Sequence, residues 1–123
     1  MKPGSIAVVG AAETTELGKV PNMSNIQLHA DAALNAMADA GLKPRDIDGI
    51  ACCREEPTEM AHYLGITPTW VDGTAVGGTS FLIHLRHAAA ARSELGVTGS
   101  SAKAAVLLRI ALSSSADVMG LPK

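Results

Sequence analysis

The chain has 123 residues and a formal net charge of -2, and 47% of its residues are hydrophobic. This length suits one small domain, while the composition excludes an intrinsically disordered chain and the near-neutral charge argues against a nucleic-acid-binding protein, which usually presents a basic face. Only 2% of the residues are aromatic, so the core must consist mainly of smaller apolar side chains, and no run of these approaches the roughly eighteen residues that span a membrane.

An apolar run at residues 6–9 predicts a short buried strand that ends at Gly10, and it is too short to be a signal peptide. A glycine directly after a strand invites comparison with the dinucleotide-binding fingerprint G-x-G-x-x-G. The comparison fails, because Ala12 and Thr15 stand where the second and third glycines would let the backbone approach a pyrophosphate. A nucleotide site is therefore not expected here.

The most regular predicted element is a helix over residues 25–40. It begins at a capping box formed by Ser24 and Gln27, its apolar side chains recur at helical spacing, and Gly41 is the expected C-terminal cap. A second short strand is predicted at residues 50–53. Strand, helix and strand in this order indicate a βαβ unit, and hence an α/β fold with a parallel sheet.

Two adjacent cysteines, Cys52 and Cys53, are the only ones in the sequence. Neighbouring cysteines rarely form a disulfide, so the pair favours a reduced, cytoplasmic setting. In a strand their side chains point to opposite faces, and they cannot chelate a metal together. The acidic residues that follow are interpreted as a solvated surface: Glu55, Glu56 and Glu59.

A short helix at residues 59–64 precedes a stretch in which a loop leads into a helix, VDGTAVGGTSFLIHLRHAAAA at residues 71–91. Gly78 or Thr79 is the expected N-cap, and the helix is predicted to end at about Arg92. The unpaired N–H groups at such a junction can bind an anion or form part of an oxyanion hole. The alternative is that the glycine pair only permits tight helix–strand packing. The candidate substrate-binding residues are Gly77, Gly78, Thr79 and Ser80, and the side-chain nucleophiles are Thr74, Thr79 and Ser80.

Two further motifs carry weaker signals. His84 and His87 share one face of the predicted helix, but no third ligand stands at a spacing that would complete a zinc site. We expect one or both rings to face solvent or to pack against the protein, with no bound metal. Ser100-x-x-Lys103 matches a motif of penicillin-binding enzymes, but its companion motifs are missing. No general acid/base pair is evident in the sequence.

The end of the chain differs from the rest in composition. Residues 92–123 are rich in Ser, Ala, Leu and Gly and contain no aromatic residue. A helix fits residues 102–112, but residues 106–110 fit a buried strand equally well, and periodicity does not decide between them. We therefore divide the chain into residues 1–91 and an atypical tail, residues 92–123.

Three segments stand in a characteristic order: IAVVGAAETTELGKVP, ADAGLKPRDIDGIACC and HYLGITPTWVDGTAVGGTSFLIHLRHAAAA. Together they resemble the N-terminal part of a thiolase of the sterol-carrier or lipid-transfer type. The resemblance implies an incomplete thiolase-like α/β fold, with βαβ units in a mixed sheet packed by helices. It also implies a dimer, no tightly bound cofactor, and chemistry that makes or breaks a carbon–carbon bond in a coenzyme A thioester.

The resemblance has one chemical departure. Residues 71–80 match the loop that carries the nucleophilic cysteine of a classical thiolase, and Ala75 occupies the cysteine position. An acyl-enzyme requires an activated thiolate, which Ala75 cannot supply, and Cys52 and Cys53 belong to an earlier strand. Thiolase-like relatives without this cysteine include side-chain-shortening aldolases and subunits that work with a small accessory protein. Their retro-aldol step needs a general base but no acyl-enzyme.

The resemblance is expected to end near Ala91, and the family's later catalytic segments have no counterpart in the sequence. We therefore expect a truncated or frame-altered part of a thiolase-like acyl-CoA enzyme, either an acyltransferase or an aldolase, that is inactive alone. The alternative is a non-catalytic thiolase-like module that binds acyl-CoA or a partner chain, as a homodimer or with an accessory small protein. An unrelated small α/β domain is a third possibility. No nucleic acid or membrane partner is expected.

Overall fold

The computed structural model describes residues 7–94, and this part of the chain forms three helices packed around a small parallel sheet. In chain order the elements are α1 (Asn25–Ala40), a 3-10 turn (Pro44–Asp46), β1 (Gly49–Ala51), α2 (Pro57–Leu64), β2 (Trp70–Asp72) and α3 (Ser80–Glu94). The predicted α/β class is confirmed. Among these residues, no helix has both the length and the apolar character that a membrane span requires.

Helix α1 has the bounds that its end signals predict. The Ser24 hydroxyl accepts a hydrogen bond from the Gln27 backbone N–H at 3.4 Å, and the Gln27 side chain accepts one from the Ser24 N–H at 2.8 Å. At the other end Gly41 takes a left-handed conformation, with φ 69°, and its N–H caps carbonyl groups of the last turn. Both ends are therefore fixed by residues adjacent to the helix.

A βαβ unit is present, but it consists of β1, α2 and β2 rather than of predicted strands on either side of α1. β1 and β2 run parallel, with Ile50 opposite Val71, and the Cys52 N–H extends their ladder by donating to the Asp72 carbonyl at 3.0 Å. Within residues 7–94 the sheet has these two strands and is parallel, not mixed. β2 was not predicted because three residues are too few to show a periodic pattern.

The predicted strand at residues 6–9 is wrong for the positions that the structure describes, which are 7–9. These residues form no strand, and Val8 and Val9 are 69% and 62% exposed. A strand needs a neighbour to satisfy its backbone hydrogen bonds, and only β1 and β2 pair within the described part of the chain. The run is apolar, but among the described residues no strand lies beside it.

Residues 10–15 lie along α1 and are held there by a row of polar side chains on that helix, which we call the α1 ladder. Its contacts are Asp39 to the Ala11 N–H (3.1 Å), Asn35 to the Glu13 carbonyl (3.0 Å) and Asp31 to the Thr15 N–H (2.7 Å). Alternate residues of an extended chain are about 6.6 Å apart, and residues four apart on a helix rise by about 6 Å. The two repeats match, so every second residue of the segment meets a helix side chain.

Gly10 is a point of very close approach between this segment and α1. A Cβ at Gly10 would collide with the backbone oxygen of Ala36 and would lie 2.8 Å from the Cβ of Ala40. The glycine is therefore required for packing against the helix, which accounts for its presence without a nucleotide.

The core lies between α1, α2 and the sheet. It consists of small, aliphatic and sulfur-containing side chains, in keeping with the aromatic-poor composition, and Ile50 is fully buried at its centre. The buried cluster comprises Ala30, Ala33, Met37, Ile47, Ile50, Cys52, Met60, Ala61, Leu64 and Ile66.

β1 ends at Ala51, so both cysteines follow the strand that was predicted to include them, and their environments differ. Cys52 is buried in the core, and its thiol donates to the Glu55 carbonyl at 3.2 Å. Burial, reinforced by the charges of Glu55 and Glu56, raises the pKa of the Cys52 thiol to about 12. Cys53 is partly exposed. Because the thiolate is the reactive form, Cys52 is chemically inert in the folded chain.

The predicted division after residue 91 stays a prediction. Helix α3 continues without interruption across that position to Glu94. Residues 95–123 lie outside the described residues, and with them the Ser100-x-x-Lys103 motif and the alternative helix or strand at residues 106–110.

Replacement of Gly10 by alanine is expected to destabilise the chain by about 1–3 kcal/mol, because the new Cβ overpacks the contact with α1. Urea unfolding measures the change. Gly78→Ala is the matched control: a Cβ there meets nothing within 4 Å, so its effect should stay within about 0.5 kcal/mol. Equal losses for the two variants would contradict the close approach at Gly10.

The thiols should titrate in two separate steps with a colorimetric disulfide reagent at pH 8. One equivalent, Cys53, is expected to react in the native chain, and Cys52 only after addition of denaturant, because its high pKa and burial suppress the thiolate. In Cys53→Ser the native chain should be almost unreactive. Rapid reaction of that variant would show that Cys52 is accessible.

Candidate functional site

The carboxyl ends of β1 and β2 lie side by side because the strands are parallel. From β1 the chain turns through Arg54, whose φ of 77° is left-handed and costs a non-glycine residue about 1–2 kcal/mol. From β2 it enters residues 73–79, the β2–α3 loop, which leads to the first turn of α3. In open α/β sheets ligands bind at this edge. We therefore take the loop and the start of α3 as the candidate site.

One face of α3 holds the end of β2 and the β2–α3 loop through three polar contacts, which we call the α3 clasp. They are His87 Nδ1–H to Asp72 Oδ2 (2.6 Å), His84 Nε2–H to the Thr74 carbonyl (2.7 Å) and the Val76 N–H to Ser80 Oγ (2.9 Å). The Ser80 hydroxyl in turn donates to the Gly77 carbonyl at 2.7 Å. The loop is thus attached to the helix at every second residue.

The spacing of the helix residues explains this attachment. Ser80, His84 and His87 stand at i, i+4 and i+7, so they form one row along two turns of α3. The segment from Asp72 to Val76 runs antiparallel to α3. Asp72 therefore contacts His87, and Val76 contacts Ser80. The path of the loop backbone follows from the side chains of α3.

Asp72 has the largest number of partners in the clasp. Its side chain is only 11% exposed, and its Oδ1 accepts hydrogen bonds from the hydroxyl and the backbone N–H of Thr74 at 2.6 and 2.9 Å. Desolvation alone would raise the pKa of Asp72. The hydrogen bonds from Thr74 and His87, with the nearby charge of His84, outweigh desolvation and hold that pKa below its ordinary value. Asp72 is therefore an anion at neutral pH.

The two predicted hydroxyl nucleophiles at the ends of the loop have structural partners. Thr74 donates to Asp72, and Ser80, which is 3% exposed, both accepts from Val76 and donates to Gly77. A buried hydroxyl with both capacities used stabilises the loop and is not presented to solvent.

Ala75 stands between two contacts of the clasp. The residue before it binds His84 and the residue after it binds Ser80, while Ala75 itself is exposed and makes no polar contact. The position that the family resemblance assigns to a nucleophile is therefore held firmly and faces outward, but it carries only a methyl group.

The remaining candidate residues form the turn into α3. Gly77 has φ 87°, a conformation that glycine adopts without strain, and Gly77, Gly78 and Thr79 are all exposed. Within residues 7–94, the N–H groups of Gly78 and Thr79 donate to no protein acceptor. Both lie in the turn that precedes Ser80, the first residue of α3. A substrate-binding role for Gly77, Gly78, Thr79 and Ser80 stays a prediction.

The two histidines of α3 have different environments. His84 is 2% exposed and packs against the loop, whereas the side chain of His87 is 47% exposed. The His84 ring binds Thr74 in the β2–α3 loop, and the His87 ring binds Asp72, the last residue of β2. In the part of the chain that the structure describes, no group of three His, Cys, Asp or Glu residues is arranged to hold a metal ion.

The sequence analysis missed the partner of His87. It found no acid/base pair, but the structure brings Asp72 and His87 into contact at 2.6 Å although fifteen positions separate them in sequence. Two signals were available: the row of polar residues at i, i+4 and i+7 on α3, and a short acidic side chain where the chain leaves a strand. Neither one specifies that the two segments meet.

Comparison with known proteins gives a consistent set of relatives, although no family model matches the chain. A steroid side-chain-cleaving aldolase of Thermomonospora curvata is 38% identical over 60 residues, which are 49% of this chain and 15% of the relative. The 17-hydroxy-3-oxo-4-pregnene-20-carboxyl-CoA lyase of Mycobacterium tuberculosis is 36% identical over 95 residues, which cover 74% of this chain and 24% of the relative. The chain thus spans a quarter or less of the length of these relatives.

Solved structures of thiolase-like proteins also match the chain. The Ltp2-ChsH2(DUF35) aldolase matches 72% of this chain with a TM-score of 0.63 and 30% identity, over 24% of its own length. A monomeric SCP2-thiolase-like protein of Mycobacterium smegmatis matches 72% with a TM-score of 0.55 and 29% identity, over 20% of its length. A tetronic acid condensing enzyme, AbyA1, matches 63% of the chain and 27% of its own length with a TM-score of 0.53; at 22% identity it supports the fold alone. The predicted resemblance is confirmed: the described part of the chain matches part of the fold of the SCP2-thiolase-like proteins.

Proposed function

We propose that the chain provides part of the acyl-CoA site of a thiolase-like aldolase, which cleaves or forms a carbon–carbon bond in a coenzyme A thioester. The observation that carries this proposal is the β2–α3 loop, which is clasped to α3 and has Ala75 at the position that the family resemblance assigns to the nucleophile. An acyl-transfer mechanism would leave that position without its thiolate, whereas a retro-aldol step needs none. The curated relatives are named an aldolase and a CoA lyase, which favours aldol chemistry over acyl transfer.

The substrate class follows from the donors that the loop exposes. The N–H groups of Gly78 and Thr79 can bind the thioester oxygen, whose negative charge grows as an enolate forms. The positive end of the α3 dipole reinforces this interaction. No tightly bound cofactor is required, and coenzyme A enters as part of the substrate.

The chain alone is proposed to lack complete turnover, because it corresponds to a quarter or less of the relatives. In its working form it would pair as a homodimer or with an accessory protein, and the name of one structural neighbour includes such a second component, ChsH2(DUF35). The unpaired cysteines suit the reducing cytoplasm. The competing proposal, a non-catalytic module that binds a partner chain, draws on the same neighbour; size-exclusion chromatography with a DUF35-type protein would detect such a complex.

Titration calorimetry with propionyl-CoA tests the proposed site. Binding is expected for the unaltered chain and should weaken at least tenfold in Gly78→Ala, whose Cβ fills open space beside the exposed N–H groups without disturbing the fold. Thr67→Ala, at an exposed position after α2, is the control and should bind normally. Thiolysis of acetoacetyl-CoA is expected to be undetectable. Absence of binding, or measurable thiolysis, would overturn the proposal.

The contacts of Asp72 in the α3 clasp also predict how the stability of the fold depends on pH. Because the pKa of Asp72 is lowered in the folded chain, its ionised carboxylate stabilises the fold above the unfolded pKa of about 3.9, and this contribution disappears as the pH falls through the lower folded value. The Asp72→Asn variant should therefore be about 1–2 kcal/mol less stable than the parent at pH 7. Its free energy of unfolding should also depend less on pH below 4 than that of the parent. Urea unfolding at pH 7 and pH 3 measures both effects.

Glu59→Gln is the control for this experiment, since Glu59 is exposed on α2 and has no hydrogen-bond partner among the described residues. It should leave the stability unchanged within about 0.5 kcal/mol at both values of pH. A parallel acid profile for Asp72→Asn and the parent would show that Asp72 gains nothing from the clasp.

A further inference from the structure

We propose that His87, oriented by Asp72, is a proton-transfer group of this site, acting on the 3-hydroxyacyl thioester that a retro-aldol reaction requires. This inference rests on the proposed aldolase function and adds the general base that such a reaction needs. Its physical basis is the pairing of a half-exposed imidazole with a nearly buried carboxylate at the carboxyl end of β2.

The geometry fixes which nitrogen is available. Asp72 Oδ2 accepts the Nδ1–H of His87 at 2.6 Å, and Asp72 Oδ1 is itself held by two hydrogen bonds from Thr74. The carboxylate therefore sets the tautomer and the orientation of the ring. Within residues 7–94 the Nε2 atom of His87 has no hydrogen-bond partner, and the side chain is 47% exposed. An imidazole held in this way presents a free lone pair to a substrate.

The other histidine of the clasp does not fit this role. His84 is 2% exposed, and its Nε2–H is already donated to the Thr74 carbonyl. It fixes the loop but offers no nitrogen to solvent at that position. His87, about one turn farther along α3, lies beside Asp72 at the carboxyl end of β2.

The chemical step balances without another reactant. Nε2 of His87 accepts the proton of the 3-hydroxyl group, the bond between the α- and β-carbons breaks, and its electron pair passes into the thioester as an enolate. The former β-carbon leaves as a ketone or aldehyde. The imidazolium then returns its proton to the α-carbon, which yields a shortened acyl thioester and a neutral ring.

The second half of this sequence can be measured without complete turnover, because it needs only the base and an acyl thioester. The chain is incubated with propionyl-CoA in D₂O, and deuterium at the α-carbon is followed by mass spectrometry. Exchange is expected for the unaltered chain and should fall about a hundredfold or more in His87→Gln. His62→Gln, which removes an exposed imidazole on α2, should exchange at the parent rate.

Asp72 acts through His87, so its substitution has a distinct readout. In ¹⁵N-detected spectra the neutral ring of His87 should carry its proton on Nδ1, and Asp72→Asn should abolish this preference and slow exchange about tenfold. Asp72→Glu, which keeps the carboxylate, should restore part of the rate. Circular dichroism confirms that each variant is folded.

The outcomes separate this proposal from the function on which it rests. If propionyl-CoA binds but exchange is absent, or is equal in His87→Gln and the parent, His87 is not the proton-transfer group and the acyl-CoA site stands. If propionyl-CoA does not bind, both proposals fail. Exchange that depends on His87 but not on Asp72 would refute the orienting role of the carboxylate.

Discussion

The carboxylate of Asp72 is the group on which the order of the site depends. Asp72 is the last residue of β2, and its backbone carbonyl accepts the hydrogen bond from Cys52 that extends the sheet. Its side chain binds both the loop that follows and helix α3. A charge at an 11% exposed position is stable only because three donors converge on it. The sheet, the loop and α3 are therefore joined through a single residue, and the arrangement of each depends on that of the others.

The same construction occurs twice in the chain. In the α1 ladder and in the α3 clasp, an extended segment lies along a row of polar side chains on a helix and meets that row at every second residue. A segment without a strand beside it still has to satisfy its backbone groups. Helix side chains do so here, which lets irregular chain remain ordered next to a sheet of only two strands.

Local signals were sufficient where an element is defined by its own neighbours in sequence. The bounds of α1 and the glycine that ends α2 follow from caps, which act over one turn. Helix α2 begins at Pro57, two residues before the predicted start, because proline is favoured in the first turn of a helix.

Long-range contacts could not be predicted in the same way. β2 exists because Val71 pairs with Ile50, and the strand expected at residues 6–9 has no such pairing among the described residues. The clasp requires Asp72 to meet a histidine two turns into α3, and nothing in either segment alone specifies that meeting. The sequence therefore predicted a site from its loop and its glycines, but it did not predict the carboxylate–imidazole pair that orders this region.

The position of Ala75 has a consequence for substitutions at that residue. Every group that shapes the loop belongs to a residue on either side of Ala75, and the exposed methyl group contributes to none of those contacts. A different side chain can therefore stand at position 75 while the contacts that hold the surrounding backbone stay in place.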